Sequence, residues 1–129
     1  MSEGILYHTS FMNTEHSDWI RGIAFYTDEI GILRNRLREV STRNTRQEVR
    51  SEVDHYDNEF AVQERTLAGL RQDIQSHEVL ILKNTRELAD HLGNSTLAQH
   101  DVLRERYITM EKTINELRHT FNRFLAKWM

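Results

Sequence analysis

Residues 49–81 read VRSEVDHYDNEFAVQERTLAGLRQDIQSHEVLI, and the spacing within this stretch decides the fold. Core-type side chains fall at Val49, Val53, Tyr56, Phe60, Gln63, Leu67, Leu70, Ile74, His77 and Ile81. The steps alternate four and three, the period of a long helix that packs along one stripe. Upstream the same alternation runs through His16, Trp19, Ile23, Tyr26, Ile30, Leu33, Leu37 and Val40. Downstream it runs through Leu103, Tyr107, Met110, Ile114, Leu117, Phe121, Phe124 and Trp128.

Two interruptions separate these segments. Val40 and Val49 are nine apart, which fits neither step. Asn44 and Thr45 between them are good N-caps, and Thr45 with Glu48 matches a capping box. At the second break Gly93 suits a left-handed C-cap, and Thr96 with Gln99 matches another capping box. These signals predict helices of about 15–42, 46–92 and 96–128, spanning roughly 40, 70 and 50 Å. The expected fold is all-α. It is an elongated antiparallel bundle of three long helices with a coiled-coil-like seam, one domain over residues 1–129. Residues 1–13 form an N-terminal cover segment.

The unequal lengths carry a further expectation. Folding the first hairpin at residues 44–45 sets His16 beside Asp73. Folding the second at 95–96 sets His91 beside His100, Ile81 beside Met110, and Trp128 near Gln63. The pairs of Leu33, Leu37 and Val40 with Val49, Val53 and Tyr56 then lack a third helix. Burying each large apolar side chain is worth about 1.5–3 kcal/mol, so this stub favours self-association. Phe25 and Ile32 add an apolar strip off the main seam. A homodimer is expected, with these eight residues as its interface. At the opposite end, the run Val79–Leu82 is apolar all round and calls for cover, which Ile5, Leu6, Tyr7, Phe11 and Met12 can supply.

The chain of 129 residues has no proline, as long unbroken helices require, and no cysteine. Disulfides, thiolate metal sites and cysteine nucleophiles are therefore excluded. Net charge is −3, so global charge does not suggest a nucleic-acid partner. The arginines nonetheless gather near the first break, and Arg43, Arg46 and Arg50 form a tip that can hold an anionic polymer. The first residues lack the basic start and apolar core of a signal peptide, and no stretch approaches a membrane span. A soluble, cytoplasmic protein is expected.

Histidine is the conspicuous reactive type, with seven copies. His16, His77, His91 and His100 fall on the seam by register. His91 and His100 face one another across the expected second hairpin, and two imidazoles with nearby carboxylates suit a divalent transition metal. His16 and His77 with Asp73 form a second candidate, as a His–carboxylate general base or as a polar layer that sets register. The Glu-x-x-His spacing at Glu52/His55 and Glu116/His119 is similar to the metal motif of ferritin-like di-iron bundles. Here the register turns Glu52 and His55 to the flank of the seam and His119 outward. Phosphate loops, nucleophile elbows and calcium loops are absent from the sequence.

These features favour a non-enzymatic helical interaction module that self-associates and needs no cofactor, with the basic tip steering a second copy or another protein. One alternative is a metal-binding helical bundle, ferritin-like or His-based, in storage, sensing or oxidase chemistry. The other is anionic-polymer binding through the arginine tip.

Overall fold

The structure, a computed structural model, describes residues 3–87 and 94–129, with side chains for 9–83 and 95–129. The described residues form three helices, α1 (Glu3–Arg43), α2 (Gln47–Glu87) and α3 (Asn94–Trp128), and no strand. The expected all-α bundle of three long helices is observed. No described helix is long and apolar enough to cross a membrane.

The boundaries depart from expectation at two places. α1 starts at Glu3, well before residue 15. Thr14 does not cap a new helix; its hydroxyl donates to the Ser10 carbonyl 2.9 Å away, a bond made inside a continuing helix. Met12, four residues before His16, extends the buried stripe. Asn44 closes α1 and does not open α2: its backbone N and its side-chain Nδ2 both donate to the Val40 carbonyl, each at 3.1 Å. α2 runs unbroken through Asn84 to Glu87, whereas residues 88–92 of the expected helix, and the Gly93 cap, lie outside the described residues.

Contacts divide the chain into two compact units, each built from a piece of all three helices. The first comprises Met1–Ile23 and Ala68–Ile108, the second Ala24–Leu67 and Thr109–Met129. In each, α1 and α2 run antiparallel and α3 runs parallel to α1. Tyr26 reaches Glu111 and Asn44 reaches Trp128 in the second unit, while Glu15 reaches Arg104 in the first.

The second unit has an apolar and aromatic core. Ile30, Val40, Val49, Phe60, Ile114 and Phe121 are fully enclosed. Tyr56 packs edge-on against Phe121 and tilted against Phe124, with ring centroids at 5.2 and 5.0 Å. Asn44 Nδ2 also donates to the Trp128 carbonyl, at 3.4 Å. α3 therefore covers the first hairpin within this unit, where a bare two-helix stub was expected. Leu33, Leu37, Val40 and Val49 are buried inside one chain, and Val53 and Tyr56 are half-buried. The argument for dimerisation from an uncovered stub falls with it.

The first unit packs Met12 and Ile81 together with Leu97, and encloses Ile23, Leu70 and Ile74. Met12 thus contributes cover at this end, while the side chains of Ile5, Leu6 and Tyr7 lie outside those described. The run Val79–Leu82 is not wrapped as expected: Val79 and Leu82 are exposed and Ile81 alone is fully buried. In this unit His100 lies against His77, where the midpoint fold placed it against His91, a shift of 14 residues along α2.

Candidate metal centre

Three histidines, one from each helix, meet in the interior of the first unit. His16 comes from α1, His77 from α2 and His100 from α3, at 0%, 3% and 2% exposure. Each occupies a seam position or its continuation, so the helical period that buries leucine elsewhere here buries imidazole. His77 Nδ1 lies 3.1 Å from His16 Nε2, and His16 Nε2 lies 3.2 Å from His100 Nδ1. One ring nitrogen from each residue lies within 4.8 Å of the other two.

The outer nitrogens set the protonation. His77 Nε2 lies 2.8 Å from the Thr96 carbonyl oxygen, which can only accept, so Nε2 carries a proton and donates. His100 Nε2 likewise donates to Glu15 Oε1 at 2.8 Å. In the neutral rings this leaves lone pairs on Nδ1 of both, and both face His16 Nε2. His16 cannot satisfy everything with one proton. With the proton on Nε2, it serves one neighbour well, and its buried Nδ1 lone pair faces Glu78 Oε1 at 3.5 Å, acceptor against acceptor. With the proton on Nδ1, three lone pairs converge on one another.

Charge on the rings is no remedy. Burial, and then the nearness of His100 and His77, push the His16 pKa down to about 4. Burial also lowers that of His77, against the raising effect of the Thr96 carbonyl. Glu15 is held below the usual carboxylate range, first by the hydrogen bonds of Arg104 and then by His100. Arg104 donates to it through two nitrogens and to Asp101 through a third at 2.8 Å, and is itself held above its ordinary pKa by Glu15. This planar, two-pronged contact fixes the carboxylate that orients His100.

Trp19 closes one side of the cluster. Its ring lies 5.0 Å from His100 and 5.5 Å from His16, centroid to centroid, and Tyr107 stacks on it at 6.1 Å. The Tyr107 hydroxyl reaches the α1 backbone at Gly22, where a Cβ would overlap it. Glycine is needed there for close approach.

Of the metal candidates read from sequence, His16, His77 and His100 are brought together and Asp73 is not. Asp73 is exposed and pairs with Arg106 at 2.7 Å, because His77, one turn further along α2, stands opposite His16. His91 lies outside the described residues. Phe25 and Ile32 are each 60% exposed. Arg43, Arg46 and Arg50 are exposed around the first turn. Arg34, by contrast, is tied to Asp57 and Glu64 at 2.8 and 3.0 Å, so part of the arginine run pairs between helices. His55, Glu116 and His119 are exposed and Glu52 is half-buried, so the two Glu-x-x-His motifs stay off the core.

Sequence reasoning missed Glu15, Glu78, Thr96 and Arg104. A signal existed for two of them, Glu15 and Glu78: each converging histidine has an acidic neighbour in the chain, as Glu15-His16, His77-Glu78 and His100-Asp101. In two cases that neighbour serves the histidine of another helix. Glu15 serves His100 and Glu78 faces His16. Comparison with protein-family models, with curated proteins and with solved structures yields no match, so function is argued from this geometry alone.

Proposed function

We propose that this protein is a metal-binding helical bundle in which His16 Nε2, His77 Nδ1 and His100 Nδ1 hold one divalent transition-metal ion. The observation that carries this reading is the split of ring nitrogens into an inner and an outer set. Three inner nitrogens converge, and every outer nitrogen faces an oxygen acceptor: Thr96 carbonyl, Glu15 and Glu78. That is the pattern of metal-ligating histidine, whose second nitrogen donates to a carbonyl or carboxylate. Zinc–imidazole bonds of about 2.0–2.1 Å in a tetrahedral site place ligand nitrogens ~3.3 Å apart. Two of the three separations, 3.1 and 3.2 Å, sit close to that value, and all three nitrogens lie within 4.8 Å of one another. An ion also removes the conflict over the shared proton: it takes all three inner lone pairs, and His16 Nδ1 is then free to donate to Glu78.

Imidazole ligands without thiolate suit zinc, copper, nickel and cobalt, and disfavour calcium and magnesium. With one ligand from each helix, such an ion cross-links the bundle and couples binding to folding. The reading as a self-association module loses its uncovered stub, because six of the eight residues assigned to that interface are wholly or partly covered by the chain's own helices, and keeps only the exposed Phe25 and Ile32.

The test begins with metal-free protein. After incubation with Zn(II) and removal of excess, native mass spectrometry is expected to show one ion per chain. Thermal denaturation is expected to shift upward and to return on adding chelator. His16→Gln and His77→Gln are each expected to lose the ion. Retention of no ion by the wild-type protein, with an unchanged melting temperature, would reduce the three histidines to a polar layer that sets helix register.

A further inference from the structure

Resting on that metal centre, we infer that its fourth coordination position is open and takes a small monoanion from solvent through a groove between α2 and α3. Among the described residues the chain offers three ligands and no fourth. The two nearest carboxylates are on the wrong side of their rings. Glu15 is bonded to His100 Nε2 and to Arg104, and Glu78 faces His16 Nδ1. Both therefore support the ligands from outside. A zinc-class ion with three protein ligands keeps its remaining position for an exogenous one, whereas structural sites are closed by four.

The groove supplies the route. It has a volume of about 610 Å³, and its wall includes His77 itself together with Ser76, Leu80, Ser95, Gln99 and Arg106. His77 is thus both a ligand and part of the groove's lining. The polar groups there include two hydroxyls and an amide, each able to donate a hydrogen bond. Asp73 and Arg106, the one acidic and the one basic residue of the lining, pair with each other, so the wall carries no net charge. At the centre, three neutral imidazoles leave both charges of a divalent ion uncompensated among its direct ligands. The ion's own charge favours an anion over a neutral or cationic ligand in the remaining position.

Cobalt(II) provides the test, because its visible ligand-field bands report what is bound to it. Metal-free protein is titrated with Co(II), and the 1:1 complex is then titrated with azide. Saturable displacement of the bands by azide is expected. Ala98→Trp and Gln99→Phe place bulk at exposed positions on the groove wall. Both are expected to weaken azide binding by about tenfold or more while leaving Co(II) affinity unchanged. A Co(II) complex whose bands ignore azide overturns the open position and leaves the metal centre standing. Azide binding that neither variant weakens overturns the route through the groove. Failure to bind Co(II) at all, with Zn(II) also refused, sinks the underlying metal reading instead.

Discussion

The two units of this chain bury the same kind of helical stripe and differ in the chemistry of one layer. The second unit fills its seam with Ile30, Val40, Phe60, Ile114 and Phe121, which are satisfied by contact alone. The first places His16, His77 and His100 at equivalent positions, and each needs specific partners. An apolar layer gains from burial at every atom, roughly 25 cal/mol per Å². A buried polar layer gains only if each donor and acceptor is matched, and an unmatched group costs about 1–3 kcal/mol. The first unit matches the outer nitrogens of His77 and His100, leaves His16 Nδ1 unpartnered, and leaves the inner nitrogens in conflict. Stability explains the second unit; the conflict in the first is what the proposed metal would relieve.

The sharpest way to break this contrast is to remove one key side chain from each unit. Phe60→Ala is expected to cost about 3–5 kcal/mol, through lost burial and the cavity left behind, with metal binding intact in whatever protein remains folded. Urea denaturation with and without Zn(II) measures both. His16→Leu should do the reverse. It removes the disputed proton and the orphaned Nδ1, so the metal-free protein is expected to be no less stable than wild type, while bound metal is lost. A His16→Leu protein destabilised by several kcal/mol would show that the histidines form a satisfied structural network.

Metal itself comes next. Free Zn(II) at about a hundred times its dissociation constant is expected to add ~2.7 kcal/mol to wild-type stability and nothing to His16→Leu. Comparable gains in both proteins would place the ion elsewhere.

The metal-free protein is also expected to be acid-sensitive. The pKa of His16 when folded, about 4, lies below the ordinary value of 6.5. As pH falls the unfolded chain takes up this proton first. The contribution is fully present above about pH 6.5 and is lost on descending towards pH 4, on the order of 3 kcal/mol in all. Denaturant midpoints at a series of pH values should fall more steeply for wild type than for His16→Leu. Equal slopes would remove His16 as the cause.

Smaller effects refine the picture. Gly22→Ala should gain helix propensity of about 1 kcal/mol yet lose more by displacing Tyr107, for a net cost of about 1–2 kcal/mol. If it stabilises the protein, the contact of Tyr107 with Gly22 is loose. Arg34→Met, which breaks the pairs with Asp57 and Glu64 at the surface of the second unit, is expected to cost no more than about 1 kcal/mol.

Much of this was legible in the chain. Among the described residues, each seam position assigned from spacing is buried or half-buried, from His16 to Trp128. His77 was also placed within a turn of His16. The partner of His100 was not legible, and the reason is arithmetic. His77 and His91 are 14 residues apart, two full heptads, so sliding α3 by that amount along α2 returns every seam residue to the seam. Periodicity cannot tell the two registers apart. The cap signals around residue 95 favoured one midpoint, and packing settled on the other.

The amino-acid sequence by itself determined which face of each helix is buried, because burial follows a local period that any reader of the chain can count. It also put imidazoles on that face, at His16, His77, His91 and His100. Only the tertiary structure decided that His16, His77 and His100 share one layer, that Glu15 serves a histidine 85 residues away, and that Asp73 serves none. Those outcomes depend on the axial register between helices. That register is set by the sum of many weak contacts and leaves no mark in the spacing of any single segment.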